Sequence, residues 1–590
     1  MPANVPGGFL STAKDINVST SLNVFTDTID ALQPNDYYRF SLQGRSSFNL
    51  ALNGLQADLD VQLIRDANNN GVVDPGEAIA QSILGGSKPE SISTTLDPNT
   101  YYIRVYAYGD TISPYNLSVS ATPIAPSYSD ANPIPTSPSN TSTATSSPPI
   151  AQAGSSRTWI NGTLGADQFT YTSASPITFY SGNGNVDFGS GQRDVLNFKA
   201  AGIASTQVSL NLANATTGGV VDNAGNGNRL YDAITLANGN QILFEGIDQI
   251  HFTDTTLDLS VVPNDPLFSQ QWDLHMTGVQ NAWRFTKGTA GVLIGIEDSG
   301  LGTDSTGNIN PDLRPTLFSG NNYLDESTSY SHGTQVQSTI GAAGNNGIGI
   351  AGINWGSDVY HIDVLGGESG DLDLATATQI LINQANSKGQ RLVVNLSLAG
   401  GYSDPFGQLV ANNQDKALFV IAAGNDNTST ISSPGSLAQT YSNVVSVGSV
   451  WGRNDYYGNP KTPGERTEYA GWWGSNYTTD ANVSANIRPL TLMAPSEFIA
   501  ETANRNASGS YDFAYRDKFN GTSASTPIVS GIASLVWSVN PILTAGQVKA
   551  ILSETAYDLG TPGYDKFYGN GFINADAAVR RALALARNYS

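Results

Sequence analysis

The stretch Val292-Leu293-Ile294-Gly295-Ile296-Glu297-Asp298-Ser299-Gly300 decides the fold class of the second half of this chain. Its first five residues are apolar or glycine, and a run without a polar face is typical of a strand buried on both sides in a parallel sheet. Similar runs lie at 392–396 and 418–422, with stretches of helical character between them. The pattern predicts an α/β domain, a parallel sheet flanked by helices, at 264–590.

Two polar residues stand where predicted strands end. Asp298 follows the first run directly, and Asn425 follows another in Ala422-Ala423-Gly424-Asn425. Open α/β folds build their sites at the carboxyl ends of parallel strands. Asp298 and Asn425 are therefore candidate site residues.

A histidine and a serine stand where helices are predicted to begin. His332 opens an apolar stretch of helical character. Ser523 lies in Gly-Thr-Ser-Ala-Ser-Thr-Pro at 521–527, just before a helix predicted over 526–538, and its small neighbours leave the hydroxyl accessible. We expect packed or surface roles for the other three histidines, His251, His275 and His361.

The first 263 residues predict two all-β modules joined by a linker. Residues 1–122 alternate polar and apolar side chains between turn clusters, as expected of a small β-sandwich. Residues 123–156 are rich in proline, serine and threonine, which favours an extended, solvated chain. Short strands with Gly/Asn turns resume over 157–263, which we interpret as a second β-rich module.

The composition excludes several classes of function. The 590 residues include 28 Lys plus Arg against 50 Asp plus Glu, and the net charge of −22 repels nucleic-acid backbones and anionic lipids. The absence of cysteine excludes disulfides, Cys-based zinc sites and a cysteine nucleophile. No apolar run reaches the roughly 18 residues of a membrane span, and the N-terminal residues lack the features of a Sec-type signal.

Residues 66–77 have the ligand spacing of a calcium-binding EF-hand loop. Oxygen-bearing side chains fall at loop positions 1, 3, 5, 9 and 12, with a main-chain carbonyl at position 7 and glycine at position 6. The predicted ligands are Asp66, Asn68, Asn70, the carbonyl of Val72, Asp74 and Glu77. Because the flanks predict strands and not helices, an Asx-rich hairpin turn is the alternative.

Ordered blocks of the second half resemble the subtilisin-type serine endopeptidases, the subtilases. The blocks are EDSG around Asp298, SHGT around His332, NLSLAGG at 395–401, AAGN ending at Asn425 and GTSASTP around Ser523. The resemblance covers 264–590 and keeps the subtilisin order Asp, His, Ser. It implies a serine endopeptidase that hydrolyses peptide bonds in proteins through an acyl-enzyme.

The resemblance also implies a role for each catalytic residue. Ser523 would be the nucleophile and His332 its general base. Asp298 would orient the imidazole and stabilise its cation. The side chain of Asn425 and the main-chain N–H of Ser523 would donate to the oxyanion.

The substrate-binding residues follow from the same resemblance. The edge strand that pairs with an extended substrate would consist of Ser397, Leu398, Ala399 and Gly400. Asp426, directly after the oxyanion asparagine, would lie near the rim of the P1 pocket. A carboxylate there would favour Arg or Lys at P1, and a solvated loop residue is the alternative.

Calcium and the accessory modules are further implications of family resemblance. The high-affinity calcium site of subtilases is matched by Asp312, Asn346 and the carbonyls of Gly344, Ile348 and Ile350, so Ca²⁺ is the expected cofactor. The surroundings of the 66–77 loop resemble a bacterial pre-peptidase C-terminal domain, although an N-terminal position departs from what that name implies. The segment 189–196 resembles one degenerate haemolysin-type nonapeptide, a repeat that binds metal only when stacked.

The chain departs from the common subtilase pattern at Gln335, Ile528 and Ser496, none of them a catalytic position. No propeptide is recognised, so cleavage of the linker as a maturation step stays open. A non-catalytic, calcium-stabilised adhesion or binding protein on a subtilase scaffold is the alternative function. We expect a monomer with protein or peptide substrates and no nucleic-acid partner. The acidic, cysteine-free composition favours an extracellular protein, with a cytoplasmic one as the alternative.

Overall fold

A computed structural model describes residues 8–587 outside a set of gaps. The gaps are 21, 31–33, 43–45, 67–70, 72, 74–76, 97–98, 108–111, 124–156, 173–174, 224–226, 315–331, 366–370, 470 and 507–510. The predicted linker at 123–156 therefore lies almost wholly outside the described residues. The chain divides into two compact units, residues 1–139 and 140–588. Within the described part, no helix has both the length and the apolar character needed to cross a bilayer.

The first unit is a β-sandwich of two sheets. Its strands are β1 (Lys14–Asp15), β2 (Asn23–Ile29), β3 (Asn35–Leu42), β4 (Ser46–Asn53), β5 (Leu59–Ile64), β6 (Ala78–Ser82), β7 (Glu90–Leu96), β8 (Asn99–Ala107) and β9 (Ser113–Pro123). One sheet has the order β1-β3-β8-β5-β6 and the other the order β2-β9-β4-β7. The inward side chains of both sheets share one core, in which Phe40 stacks on Phe48 with ring centroids 5.1 Å apart. The all-β prediction for this region is confirmed.

The second unit begins with stacked parallel strands. The strands are β10 (Arg157–Asn161), β11 (Gln168–Thr170), β12 (Ile177–Ser181), β13 (Val195–Asn197), β14 (Val208–Asn211), β15 (Val220–Asn223), β16 (Asn228–Leu236), β17 (Gln241–Glu245), β18 (Gln249–His251) and β19 (Thr256–Asp258). β10, β12 and β17 pair in parallel, and so do β11, β13 and β18. Three coils of chain therefore stack on one another, and we call this region the coil module.

An aspartate closes the turn within each coil. Asp167, Asp194 and Asp248 directly precede β11, β13 and β18. Asp194 accepts the N–H of Asp167 at 2.7 Å, and Asp248 accepts the N–H of Asp194 at 3.0 Å. The carboxylates thus satisfy main-chain donors between coils, as buried turns require. The nonapeptide-like segment 189–196 lies at the end of the middle turn.

A six-stranded parallel sheet forms the centre of the remaining chain. Its strands are β20 (Val292–Asp298), β21 (Asp358–Asp363), β22 (Arg391–Leu396), β23 (Ala417–Ala422), β24 (Val444–Val450) and β27 (Leu492–Pro495), in the order β21-β20-β22-β23-β24-β27. Two hairpins pair β25 (Glu468–Tyr469) with β26 (Trp473–Gly474), and β28 (Phe498–Arg505) with β29 (Tyr511–Phe519). All of β20 is buried, which confirms the predicted parallel α/β sheet.

Helices surround this sheet. They are α1 (Trp272–Met276), α2 (Val279–Ala282), α3 (His332–Gly341), α4 (Leu374–Lys388), α5 (Asp404–Asn412), α6 (Asp480–Ser484), α7 (Thr522–Val539), α8 (Ala545–Glu554) and α9 (Ala575–Arg587). α7 packs against α3, β22 and β24 in one core, whereas α4 and α5 pack in another core with the opposite face of the sheet. The residues at the carboxyl edge of the sheet and at the starts of α3 and α7 are thereby held by packing on both sides.

α7 begins four residues earlier than the helix predicted over 526–538, and it contains Pro527. Pro527 has no N–H to donate to the carbonyl of Ser523, four residues before it. That carbonyl instead accepts the hydroxyl of Ser397 at 2.9 Å. The first turn of α7 therefore depends on a hydrogen bond from the segment after β22, which local sequence does not reveal.

Buried ion pairs join the coil module to the helices of the α/β part. Arg580 contacts Asp576 and Asp232 at 2.8 Å each, and Arg284 contacts Asp232 at 2.8 Å. The side chains of Arg580, Asp232 and Asp576 are each 1% exposed. Burial raises the pKa of Asp232, but Arg580 and Arg284 outweigh it and hold that pKa below its usual value. The N–H of Gly246 also donates to Asp576 at 2.9 Å.

Candidate active site

The end of β20 and the start of α3 bring a carboxylate and an imidazole together. Asp298 Oδ1 lies 2.6 Å from Nδ1 of His332. The Asp298 side chain is fully buried, whereas 35% of the His332 side chain is exposed. Oδ1 also accepts the N–H of Ser299 at 2.8 Å, which fixes the carboxylate. A carboxylate bonded to Nδ1 keeps the ring proton there and leaves Nε2 as the basic nitrogen.

Close packing at the start of α3 sets this geometry. A Cβ on Gly333 would lie 1.8 Å from the carbonyl oxygen of Ser299, so only glycine fits. The N–H of Gly333 donates to Ser299 Oγ at 2.9 Å. The carbonyl of Ser299 in turn lies 2.7 Å from Nε2 of buried His361. These contacts hold the first turn of α3 against the end of β20.

Ser523 lies in the first turn of α7 and contacts the segment that follows β22. Its hydroxyl donates to the carbonyl of Ser397 at 2.9 Å, while the Ser397 hydroxyl donates to the carbonyl of Ser523. A hydroxyl has one proton, so in this state the Ser523 proton is directed at Ser397. Asn395 Nδ2 donates to Ser397 Oγ at 3.0 Å and so helps to orient it.

Asn425 is oriented by the residue before the serine. Its Oδ1 accepts the N–H of Thr522 at 2.8 Å and the Thr522 hydroxyl at 3.1 Å. Because a main-chain N–H can bond only to the amide oxygen, the orientation of the amide is fixed. Nδ2 donates to no other described residue, and it is therefore available to an incoming oxygen atom.

The predicted substrate segment 397–400 follows β22 and pairs with no strand in the described part of the chain. Leu398 packs into the core, whereas Ala399 and Gly400 are exposed. The N–H of Gly400 donates to the carbonyl of Ser433 at 2.8 Å. A segment that pairs with no described strand and is exposed at Ala399 and Gly400 can accept an extended peptide as a new strand.

Asp426 is exposed and directly follows Asn425. Its N–H donates to Oδ1 of Asn476 at 3.0 Å, and its Oδ2 accepts from Nδ2 of Asn476 at 3.4 Å. These contacts hold the main chain after Asn425, while the carboxylate keeps its charge exposed to solvent.

Comparison with known proteins identifies the family. The model of the subtilase family matches residues 289–571, which include all the site residues above. Subtilisin Savinase of Lederbergia lenta is 30% identical over 298 residues, which make up 49% of this chain and 91% of that protein. The chain belongs to the subtilase family. The resemblance seen in the sequence is thereby confirmed.

Two longer relatives extend the comparison. The extracellular protease of Xanthomonas campestris pv. campestris is 31% identical over 380 residues, 56% of this subtilase and 59% of that protein. The extracellular basic protease of Dichelobacter nodosus is 29% identical over 402 residues, 59% of this chain and 60% of that protein. This subtilase thus spans about three fifths of each relative. The model of bacterial pre-peptidase C-terminal domains matches residues 34–107, which confirms the second resemblance.

The residues expected to form the subtilase calcium site lie together. Asn346 Nδ2 donates to Asp312 Oδ1 at 2.9 Å, and the hydroxyl of Tyr515 donates to Asp312 Oδ2 at 2.9 Å. Three carbonyl oxygens of one loop accept no hydrogen bond from a described residue: those of Gly344, Ile348 and Ile350. Carboxylate and free carbonyl oxygens are the hard ligands that Ca²⁺ prefers, so this donor set fits the ion.

Glu501 adds two further oxygen atoms to this region. Its side chain is fully buried, and neither carboxylate oxygen has a hydrogen-bond partner among the described residues. Burial, and then the nearby charge of Asp312, raise the pKa of Glu501 well above its usual value. Burial likewise raises the pKa of Asp312. Sequence analysis missed Glu501, because no motif surrounds it.

Only part of the predicted loop at 66–77 is described. Asn68, Asn70, Val72 and Asp74 lie outside the described residues. Asp66 and Glu77 are both buried, and Asp66 Oδ2 accepts the N–H of Gly71 at 3.0 Å. The loop joins β5 to β6, so its flanks are strands, in agreement with the sequence pattern.

Sequence analysis assigned no role to two residues next to Asp298 and His332. Glu297 is fully buried, its Oε1 accepts the hydroxyl of Thr378 at 2.7 Å, and burial raises its pKa to about 8. Phe519 packs edge-on against the His332 ring, with centroids 5.6 Å apart. The alternation of strand side chains could have placed Glu297 on the face opposite Asp298. The contact of Phe519 depends on the hairpin before α7, and only tertiary structure reveals it.

Proposed function

We propose that this subtilase is a serine endopeptidase that cleaves proteins through an acyl-enzyme. The observation that carries the proposal is the 2.6 Å contact between Asp298 Oδ1 and His332 Nδ1. The same family motifs supply an accessible serine in α7 and an amide donor whose orientation is fixed. Together these groups match the parts that acyl transfer needs: a nucleophile, a base with its orienting carboxylate, and an oxyanion donor.

The reaction begins when the Ser523 hydroxyl leaves the carbonyl of Ser397. Its Oγ attacks the scissile carbonyl carbon while Nε2 of His332 takes the proton. Asp298 stabilises the imidazolium that results. Nδ2 of Asn425 and the N–H of Ser523 stabilise the negative oxygen of the tetrahedral intermediate. His332 then protonates the leaving amine, and a water molecule hydrolyses the acyl-enzyme by the same route.

The substrate is proposed to be an extended stretch of protein chain. It would pair with the 397–400 segment through main-chain hydrogen bonds, which recognise any sequence. The exposed charge of Asp426 would add a preference for Arg or Lys at P1. Two peptides that differ only in Arg or Phe at P1 test this, and a clear preference for Phe would overturn it.

We propose that Ca²⁺ binds at Asp312 and Asn346 with the carbonyls of the 344–350 loop, and at the 66–77 loop. The ion would supply cross-links between loop and carboxylate, and the triad alone would carry out the chemistry. The melting temperature should rise with Ca²⁺ in the full chain carrying Ser523→Ala. Asp312→Asn and Asp66→Asn, added to it, should each remove part of that rise. An unchanged rise in both variants would contradict the two sites.

We also propose that the protein works outside the cell. Two relatives are named extracellular proteases, and an acidic chain without cysteine is compatible with an extracellular location. Immunoblots of culture medium and cell lysate from the source organism test the proposal. Protein confined to the lysate would favour the cytoplasmic alternative.

The test of the activity compares the full chain with its Ser523→Ala variant on casein and on a peptide library. Hydrolysis by the first and none by the second would support the serine endopeptidase. Equal inertness of both, in the presence of Ca²⁺ and after deliberate cleavage within 123–156, would favour the non-catalytic binding protein. Equal hydrolysis by both would point to a contaminating protease.

A further inference from the structure

A cavity of 440 Å³ opens on the outer face of the coil module, where the chain at 555–558 meets it. Asn161, Ser181 and Glu245 line it and stand side by side across β10, β12 and β17. Its volume lies in the range of small-molecule sites. The triad residues are not part of its lining, so this cavity is distinct from the proposed protease site.

Two buried side chains of opposite charge line the cavity. Arg229 and Glu245 form an ion pair through Arg229 Nη1 and Glu245 Oε1, and Oε1 also accepts the Ser181 hydroxyl at 3.1 Å. The Arg229 side chain is 8% exposed and that of Glu245 is 5% exposed. Arg229 Nε and Glu245 Oε2 have no hydrogen-bond partner among the described residues. Both atoms are closed to solvent, so the ion pair forms a buried polar wall of the cavity.

An exposed aromatic side chain stands beside these polar groups. Trp159 is 45% exposed, and its indole stacks on Phe179 with ring centroids 5.3 Å apart and an angle of 10° between the planes. Tyr231 meets Phe179 edge-on at 5.3 Å and also lines the cavity. The stack holds the indole as a rigid, flat apolar surface at the edge of a polar cavity.

We propose that this cavity binds a neutral saccharide of one or two rings. Sugar hydroxyls both donate and accept, so they can bond to the polar side chains of Asn161, Asn183 and Asn574 in the lining. The apolar face of a pyranose ring matches the surface of Trp159. Glu245 and the exposed Asp558 disfavour an anion, while Arg229 disfavours a cation, which leaves an uncharged polyol as the ligand that the lining recognises.

Calorimetric titration of the full chain carrying Ser523→Ala tests the proposal, with maltose, cellobiose and N,N′-diacetylchitobiose as probes. At least one of them should bind, and Trp159→Ala should weaken that binding by at least about tenfold. Asn161→Ala, an exposed change in the same lining, should weaken it as well. Trp472→Ala removes an indole that is 73% exposed elsewhere in the same unit, and it should leave binding unchanged.

Thermal unfolding of each variant verifies that the coil module is folded. Failure of all three sugars to bind at millimolar concentration would overturn the proposal. Binding that Trp159→Ala and Asn161→Ala leave intact would overturn it too, since the sugar would then sit elsewhere. Tight binding of an arginine tripeptide in place of the sugars would identify the cavity as a peptide site.

Discussion

Asn425 is tied to Thr522 through its oxygen, and Asn425→Ala removes that acceptor together with Nδ2, the proposed oxyanion donor. In Asn425→Ala, kcat should fall by about 10²–10³, the range known for such a donor in this family, and KM should change little. Steady-state kinetics on one peptide substrate measure both constants. Ser429→Ala, in the exposed loop nearby, is the control and should keep full activity. A change confined to KM would contradict the oxyanion role.

Glu297 gives a pH-dependent prediction. Its folded-state pKa of about 8 lies above the ordinary value of 4.5, because burial disfavours the charged form. The folded chain therefore holds this proton more tightly than the unfolded chain, and stability falls as pH rises through that interval. Glu297→Gln mimics the protonated acid. At pH 9 it should raise the free energy of unfolding over wild type by roughly 2–4 kcal/mol, with a smaller difference at pH 5.

Urea denaturation at both pH values measures this effect in the Ser523→Ala background, which prevents self-digestion. Glu554→Gln on the surface is the control and should show no pH-dependent difference from wild type. An equal effect of Glu297→Gln at pH 5 and pH 9 would mean that the carboxyl does not titrate in this interval.

Among the described helices and strands, the start of α3 leaves the least room for an added side-chain atom. A Cβ on Gly333 would meet the Ser299 carbonyl at 1.8 Å, so Gly333→Ala must displace the first turn and with it His332. A misplacement of about 1 Å lowers kcat/KM by about 10²-fold. Peptide kinetics and circular dichroism together test this expectation. Gly546→Ala in α8, where the nearest atom is 3.2 Å away, should retain activity. Full activity of Gly333→Ala would show that the contact does not set the triad.

Sequence pattern predicts the strands of the sheet well, because β20, β22 and β23 are continuous apolar runs that end in polar site residues. The start of α7 could not be predicted in the same way. Proline at 527 suggested a helix that begins just before it, whereas the hydroxyl of Ser397 supplies the hydrogen bond that Pro527 lacks. Motif order drew attention to Asp298, His332 and Ser523. Glu297 lies inside the EDSG block but received no role, and Glu501 and Phe519 lie outside every quoted block, so only packing reveals what these three residues contact.

At the scale of the molecule, the buried charges between the coil module and α9 are expected to stabilise the second unit. Asp232→Asn would leave Arg580 and Arg284 with less charge compensation in the interior and should destabilise the second unit by about 3–5 kcal/mol. Asp480→Asn removes the carboxylate of an exposed pair with Lys566 and should cost about 0–1 kcal/mol. Urea denaturation of both variants measures the difference. Similar small losses in both would contradict a structural role for the buried cluster.

The stacking of the coil module was not predictable from one nonapeptide-like segment. Its three turns share only a first glycine and a last aspartate, as in Gly162 and Asp167, and they differ in length. The pattern becomes visible once β11, β13 and β18 are aligned in register. Irregular turn length thus hid a repeat whose hydrogen bonds are regular.

If Ser523 is the nucleophile, as proposed, its reciprocal hydrogen bonds with Ser397 would couple peptide binding to the reactivity of this hydroxyl. A peptide lying along 397–400 would compete for the Ser397 carbonyl and weaken the bond that retains the Ser523 proton. By thermodynamic linkage, any change that frees this hydroxyl would tighten peptide binding by the same factor. Without a bound peptide, the Ser523 proton would stay hydrogen-bonded to the Ser397 carbonyl, and the serine would react poorly with other electrophiles. Reactivity would be conferred by the substrate itself.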